Sequence, residues 1–234
     1  SDDSTDVLSD ALSRGWIAVS DGSLNGDCGF ELVSPAYNLT SSDVDYGATD
    51  LSDCLSDWAA LNANCDASCG GHITVSCDGL TGPQLAARLE PLFPVLFALY
   101  PSRVSNEYSV ATRGRYATET GRKFRAINTM PNRVEFRLFP GVETGPQLAN
   151  RVGLLSAALQ CILGDSGLLC ESEAREELQS AIDNPESTLW TAINRLVADY
   201  LSEKQIAKRA ERIASFTGWY ATGELDEITR RYLS

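Results

Sequence analysis

"NRVEFRLFPG", residues 132–141, encodes a strand whose two sides differ in kind. Successive side chains of an extended chain point to opposite sides. Val134, Phe136 and Leu138 therefore share one side, and Glu135, Arg137 and Phe139 the other. The first side belongs against a core. The second places a carboxylate and a guanidinium two residues apart, which reads either as a solvated outer face or as the floor of a site.

Two upstream segments repeat the design. In "GGHITVSC" (70–77), His72, Thr74 and Ser76 alternate with Ile73, Val75 and Cys77. In "CGFELVSP" (28–35), Gly29, Glu31 and Val33 alternate with Phe30 and Leu32. Taken singly, each polar residue has a plain explanation: a lone strand histidine is usually structural, and a lone carboxylate usually faces water. Taken together, they predict an α+β fold with one curved antiparallel sheet. Its apolar face would pack on helices and its concave face would be polar. Carboxylates and an imidazole on such a face can hold Mg²⁺ or Mn²⁺ while leaving positions for phosphate oxygens. An arginine beside them can offset charge on a transferring phosphoryl group, its planar fork matching phosphate oxygens.

The bulk composition narrows the partners. The chain has 234 residues, 43% hydrophobic, with a net charge of −13 and a pI near 4.5. Such a surface repels polyanions, which argues against nucleic acid. The acidity is uneven. Eleven aspartates and a single arginine fall in the first 57 residues, whereas Arg103, Arg113, Arg115, Arg122, Lys123, Arg125, Arg133 and Arg137 cluster at 103–137. That basic block is the natural seat for a phosphate-bearing ligand. No apolar run approaches the roughly 18 residues of a membrane span, and no leader-like segment opens the sequence. The expected location is cytoplasmic, with a virion or exported particle as the alternatives. Seven cysteines in a chain of this length point to reduced thiols. Cys65, Cys69, His72 and Cys77 lack the paired spacing of a zinc knuckle. A disulfide of Cys65 with Cys54 or Cys69 stays open for an exported protein, as does glycosylation at the Asn38 sequon.

Coarse periodicity gives the rest. A short helix is expected near the start, ended by Gly15, and strands at "WIAVS", "GFELVS", "GGHITVSC", "FRAINTM" and "RVEFRLF", the last two flanking the turn "PN". Helices are expected over about 50–63, over the Pro-interrupted stretch 82–99, and near 145–163, 171–183, 186–201, 203–216 and 223–233. The stretches "TGPQLAAR" (81–88) and "TGPQLANR" (144–151) repeat a Thr–x–x–Gln capping pattern with proline near the first helical position. The division expected is a sheet domain over 1–160 and a helical extension over 161–234 packed on the same core.

The ordered set "DGSLNGDCGFELVSP", "GGHITVS", "PSRVSNEYS", "FRAIN" and "RVEFRLFPG" resembles the amidoligase family of the carboxylate–amine ligase superfamily, relatives of glutamine synthetase and glutamate–cysteine ligase. It covers roughly residues 7–160. The resemblance implies ATP and a divalent metal, and phosphorylation of a small-molecule or peptide carboxylate to an acyl phosphate that an amine then attacks. By that resemblance Glu31, His72 and Glu135 are metal ligands and Arg137 a phosphate contact. Arg103, Arg125 and Asn128, and in the basic loop Arg113, Arg115 and Lys123, contact nucleotide or substrate. Two departures stand out: the family's second strand histidine is Thr74 here, and its opening "GxExE" strand is not in this sequence. That strand would have been removed, supplied by a second chain, or lost. The rival expectation is accordingly a non-catalytic subunit of a larger particle on the same fold.

Overall fold

Pro131 and Asn132 form the tip of a hairpin, closed by the Met130 N–H donating to the Arg133 carbonyl at 2.9 Å. It joins β4 (Ile127–Thr129) to β5 (Val134–Pro140), antiparallel, with Ile127 opposite Phe136, Asn128 opposite Glu135 and Thr129 opposite Val134. The computed structural model describes residues 9, 12–20, 30–39, 69–104, 109–111, 125–142, 144–164, 167–198 and 208–224. Within them β3 (Gly70–Val75) takes the other edge of β5, giving the order β3-β5-β4. The fold is α+β, with seven helices and two small antiparallel sheets among the described residues.

β5 is covered on both faces. Val134, Phe136, Leu138 and Phe139 are completely or almost completely buried, and Arg137 is only 8% exposed. Phe136 meets Phe93 edge-on at 6.5 Å, and Phe139 meets Tyr100 edge-on at 5.3 Å. Of the two readings of the Glu135–Arg137 side, the solvated outer face is thus excluded.

The helices follow from capping and periodicity. In α1 (Gly82–Leu89), the Thr81 hydroxyl accepts from the Gln84 N–H, and the Gln84 side chain accepts from the Thr81 N–H at 2.9 Å. Two of the otherwise orphaned donors of that helix start are satisfied this way. Gly82 is required for a different reason: its N–H donates to the Pro131 carbonyl, and a Cβ there would lie 1.9 Å from the Met130 carbonyl oxygen. The helix start is pressed onto the hairpin tip. α2 (Leu92–Leu99) is apolar all round and buried from Leu92 to Ala98, as a helix at the centre of a core must be. The short α3 (Pro101–Val104) follows it. α4 (Gly145–Leu163) opens on the second copy of the repeat, with the Gln147 N–H donating to the Thr144 hydroxyl at 3.4 Å. α5 (Glu171–Asp183), α6 (Thr188–Ala198) and α7 (Arg209–Thr222) complete the chain. α7 lies along α2, with Tyr220 against Phe97, and α5 packs on α1. Arg175 of α5 pairs with Glu90, which also accepts from the Tyr220 hydroxyl at 3.0 Å. The C-terminal helices thus share one core with α1 and α2. The helix expected at 50–63 lies outside the described residues, as does all but the start of the one at 223–233. None of the described helices is long and apolar enough to cross a membrane.

The chain divides into two compact units, Gly71–Phe139 with Leu154–Ser234, and Ser1–Gly70 with Pro140–Gly153. Residue 160 falls inside α4 and marks no boundary. In the second unit β1 (Ile17–Ser20) pairs antiparallel with β2 (Phe30–Val33), and Trp16 is buried against Leu32, Val142 and Leu148. Gly15, at φ +85°, ends the short segment before it as expected. One expectation is corrected here. Among the described residues the strands carrying Glu31, His72 and Glu135 do not make one sheet: β2 pairs with β1, while β5 lies between β3 and β4.

Gly82→Ala is expected to destabilise the protein by about 1–3 kcal/mol or more, since the added methyl has backbone, not a flexible side chain, to displace. Gly153→Ala, in α4 with nothing within 4 Å of the new atom, is expected to stabilise it by about 0.5–1 kcal/mol. Urea unfolding of the two variants checks both signs.

Candidate functional site

Alternation along β5 puts Glu135 and Arg137 on one side, and the hairpin register sets Asn128 of β4 directly across from Glu135. The Asn128 side-chain amide donates to Glu135 Oε2 at 2.8 Å. Arg137 NH1 donates to the same oxygen at 3.2 Å. From the other edge, β3 contributes His72, whose Nδ1 lies 3.4 Å from Arg137 NH1 and 3.7 Å from Glu135 Oε1. Four residues singled out from the sequence, on three strands and up to 65 positions apart, thus form one contiguous polar cluster.

The cluster is enclosed: Asn128 is 4% exposed, and the Glu135 side chain 13%. Charge of this kind is tolerated in a core only when paired and hydrogen-bonded. Arg137 and Asn128 meet that need at one carboxylate oxygen, Oε2. In the neutral imidazole with its proton on Nε2, Nδ1 accepts from Arg137; in the imidazolium it would turn its proton toward Glu135 and repel Arg137.

Part of the bonding capacity is unspent. Among the described residues, Asn128 Oδ1 and Arg137 Nε are buried without a partner. Glu135 Oε1 lies 3.7 Å from His72 Nδ1, beyond hydrogen-bond distance. Buried polar atoms are nearly always bonded, so one amide acceptor and one guanidinium donor on this patch keep unused bonding capacity. The donor chemistry fits the divalent cation that the family resemblance implies. Glu135 Oε1 and His72 Nδ1 face each other, and a cation there would take the Nδ1 lone pair in place of the Arg137 NH1 hydrogen bond; Mg²⁺ characteristically takes few protein ligands, its other positions going to water and phosphate. Among the described residues no group of three or more His, Cys, Asp or Glu side chains comes together as a metal site; His72 and Glu135 form a pair. Burial pushes the Cys77 and Cys161 thiols up from the usual thiol range.

The other expected site residues fall elsewhere. Glu31 lies on the exposed β2, opposite Val19, in the other unit. Arg125 precedes β4 in a parallel bridge with Val110, and the Ala126 N–H donates to the Val110 carbonyl at 2.9 Å. Arg103 lies in the last turn of α3, its carbonyl accepting from the Ser109 hydroxyl at 2.8 Å. Arg113, Arg115 and Lys123 lie outside the described residues. Two buried arginines were not foreseen, Arg88 and Arg151. The one signal for them was the repeat itself, in which each is the final residue.

Asn128→Ala should cost about 1.5–3 kcal/mol, the range for a hydrogen bond to a charged group, by thermal or urea unfolding. A cost near zero would mean that the Glu135 carboxylate does not depend on this amide.

Compared with protein-family models, with curated proteins and with solved structures, the chain matches none of them.

Proposed function

We propose that this chain carries the active site of an ATP-dependent carboxylate–amine ligase of amidoligase type, using Mg²⁺ or Mn²⁺ and forming an amide or isopeptide bond through an acyl phosphate. The observation that carries the reading is the convergence of His72, Asn128, Glu135 and Arg137 on one sheet face. In this reading His72 and Glu135 Oε1 hold the cation, whose chemistry is to neutralise phosphate charge. Asn128 fixes the carboxylate so that Oε1 faces inward. Arg137 meets the transferring phosphoryl group, where a fixed cation in a water-poor site stabilises developing charge far better than it would in water. A peptide or small-molecule carboxylate and an amine are the substrates. The thiol state of Cys77, Cys161 and Cys170 suits a reducing, cytoplasmic setting.

A second reading is favoured by a separate observation. Ile17, Val19 and Val33 are 59%, 46% and 41% exposed on the β1–β2 pair. Apolar surface of that kind suits a non-catalytic ligase-fold subunit of a larger particle.

Isothermal calorimetry with a non-hydrolysable ATP analogue separates the two. Magnesium-dependent binding is expected for the enzyme, and no heat with or without Mg²⁺ for the subunit. If turnover is found, Arg137→Ala should lower it about 10²–10³-fold with a modest loss of nucleotide affinity. Glu135→Gln should raise the Mg²⁺ concentration needed for half-maximal rate. An unchanged rate in the first, or an unchanged titration in the second, removes the role given to that residue.

A further inference from the structure

We infer that Arg151 is a positioning residue of the His72–Asn128–Glu135–Arg137 cluster: it fastens the chain where β5 ends and so fixes the register in which β3 presents His72. Arg151 is 1% exposed and heads the fully buried side chains by size. Its NH1 donates to the Pro140 carbonyl at 2.7 Å and its NH2 to the Gly141 carbonyl at 3.2 Å. The Gly141 N–H donates in turn to the Cys69 carbonyl at 3.2 Å. Both backbone groups of Gly141 are therefore committed, one to Arg151 and one to the residue just before β3. Within this knot Cys69 lies three residues before His72, and Pro140 three residues after Arg137. A slip of one residue there would turn His72 to the opposite face and bring Ile73 against the Glu135 carboxylate.

The residue type follows from the task. Two successive carbonyls are held by separate donors of one rigid fork, which the single ammonium of lysine cannot reproduce. The first copy of the repeat uses its arginine in the same manner: Arg88 NH1 donates to the Gln84 carbonyl at 3.1 Å, and Nε and NH2 to the Leu169 carbonyl at 3.3 Å. Each "TGPQLAxR" thus encodes a capped helix start followed by a guanidinium that fastens a neighbouring loop or strand end.

This inference goes beyond the ligase reading, and its test makes no use of nucleotide. His72 is the only histidine in the chain, so the imidazole signals in a heteronuclear NMR spectrum report on the cluster alone. Arg151→Met, still folded by circular dichroism, is expected to displace or split those signals at constant pH. Arg151→Lys, able to reach one carbonyl, should move them less. Leu154→Ala, a buried position on the same helix, should lower the melting temperature but leave them in place. Signals of Arg151→Met that coincide with wild type, or equal displacement in Leu154→Ala, overturn the inference. Should Arg151→Met fail to fold, Arg151→Lys carries the test: its signals must lie off the wild-type position, and coincidence overturns the inference equally.

Discussion

β5 is hydrogen-bonded along both edges, to β3 and to β4, and its residues are enclosed on both faces. A strand placed this way is paired on both edges and largely enclosed on both faces. Of its apolar residues, Phe136 meets Phe93 of α2 and Phe139 meets Tyr100 just past that helix. Its polar residues then have nowhere to be solvated. They must find partners on the adjacent strands, and those partners are Asn128 and His72. The cluster is therefore a consequence of the central position of β5: the same Glu135 and Arg137 on an edge strand would reach water.

Enclosure also gives the cluster its chemical character. An ion pair at the surface is worth little, because water competes for both charges. Here Glu135 and Arg137 stand in a low-dielectric setting where losing one partner leaves the other uncompensated. Among the described residues, Asn128 Oδ1 and Arg137 Nε are buried without a partner, so this network leaves one acceptor and one donor atom unused.

Much of this was legible in the sequence. Alternation in "RVEFRLF" and "GGHITV" assigned each side chain to its face, the "PN" turn fixed the hairpin, and the Thr–x–x–Gln pattern located the starts of α1 and α4. Local rules suffice there because strand period, turn chemistry and capping are decided within a few residues. Glu31 shows where such rules end. Its strand has the same alternation as the others, but alternation gives a face and never a neighbour, and β2 turned out to pair with β1. Arg151 shows the same limit from the other side. Seven residues after a helix cap, an arginine normally reads as a solvated charge. Its burial follows from the Pro140 and Gly141 carbonyls that happen to lie within its reach.

The sequence by itself determined the α+β class, the strand faces, the helix starts, and the residues able to carry chemistry, since all of these depend on short-range periodicity and residue type. Tertiary structure alone decided the strand order β3-β5-β4, the separation of Glu31 from His72 and Glu135 into different sheets, and the interior use of Arg88 and Arg151. Those outcomes depend on which backbone edges and carbonyls remain unfilled when segments far apart in the chain meet, and that competition leaves no local mark in the residues themselves.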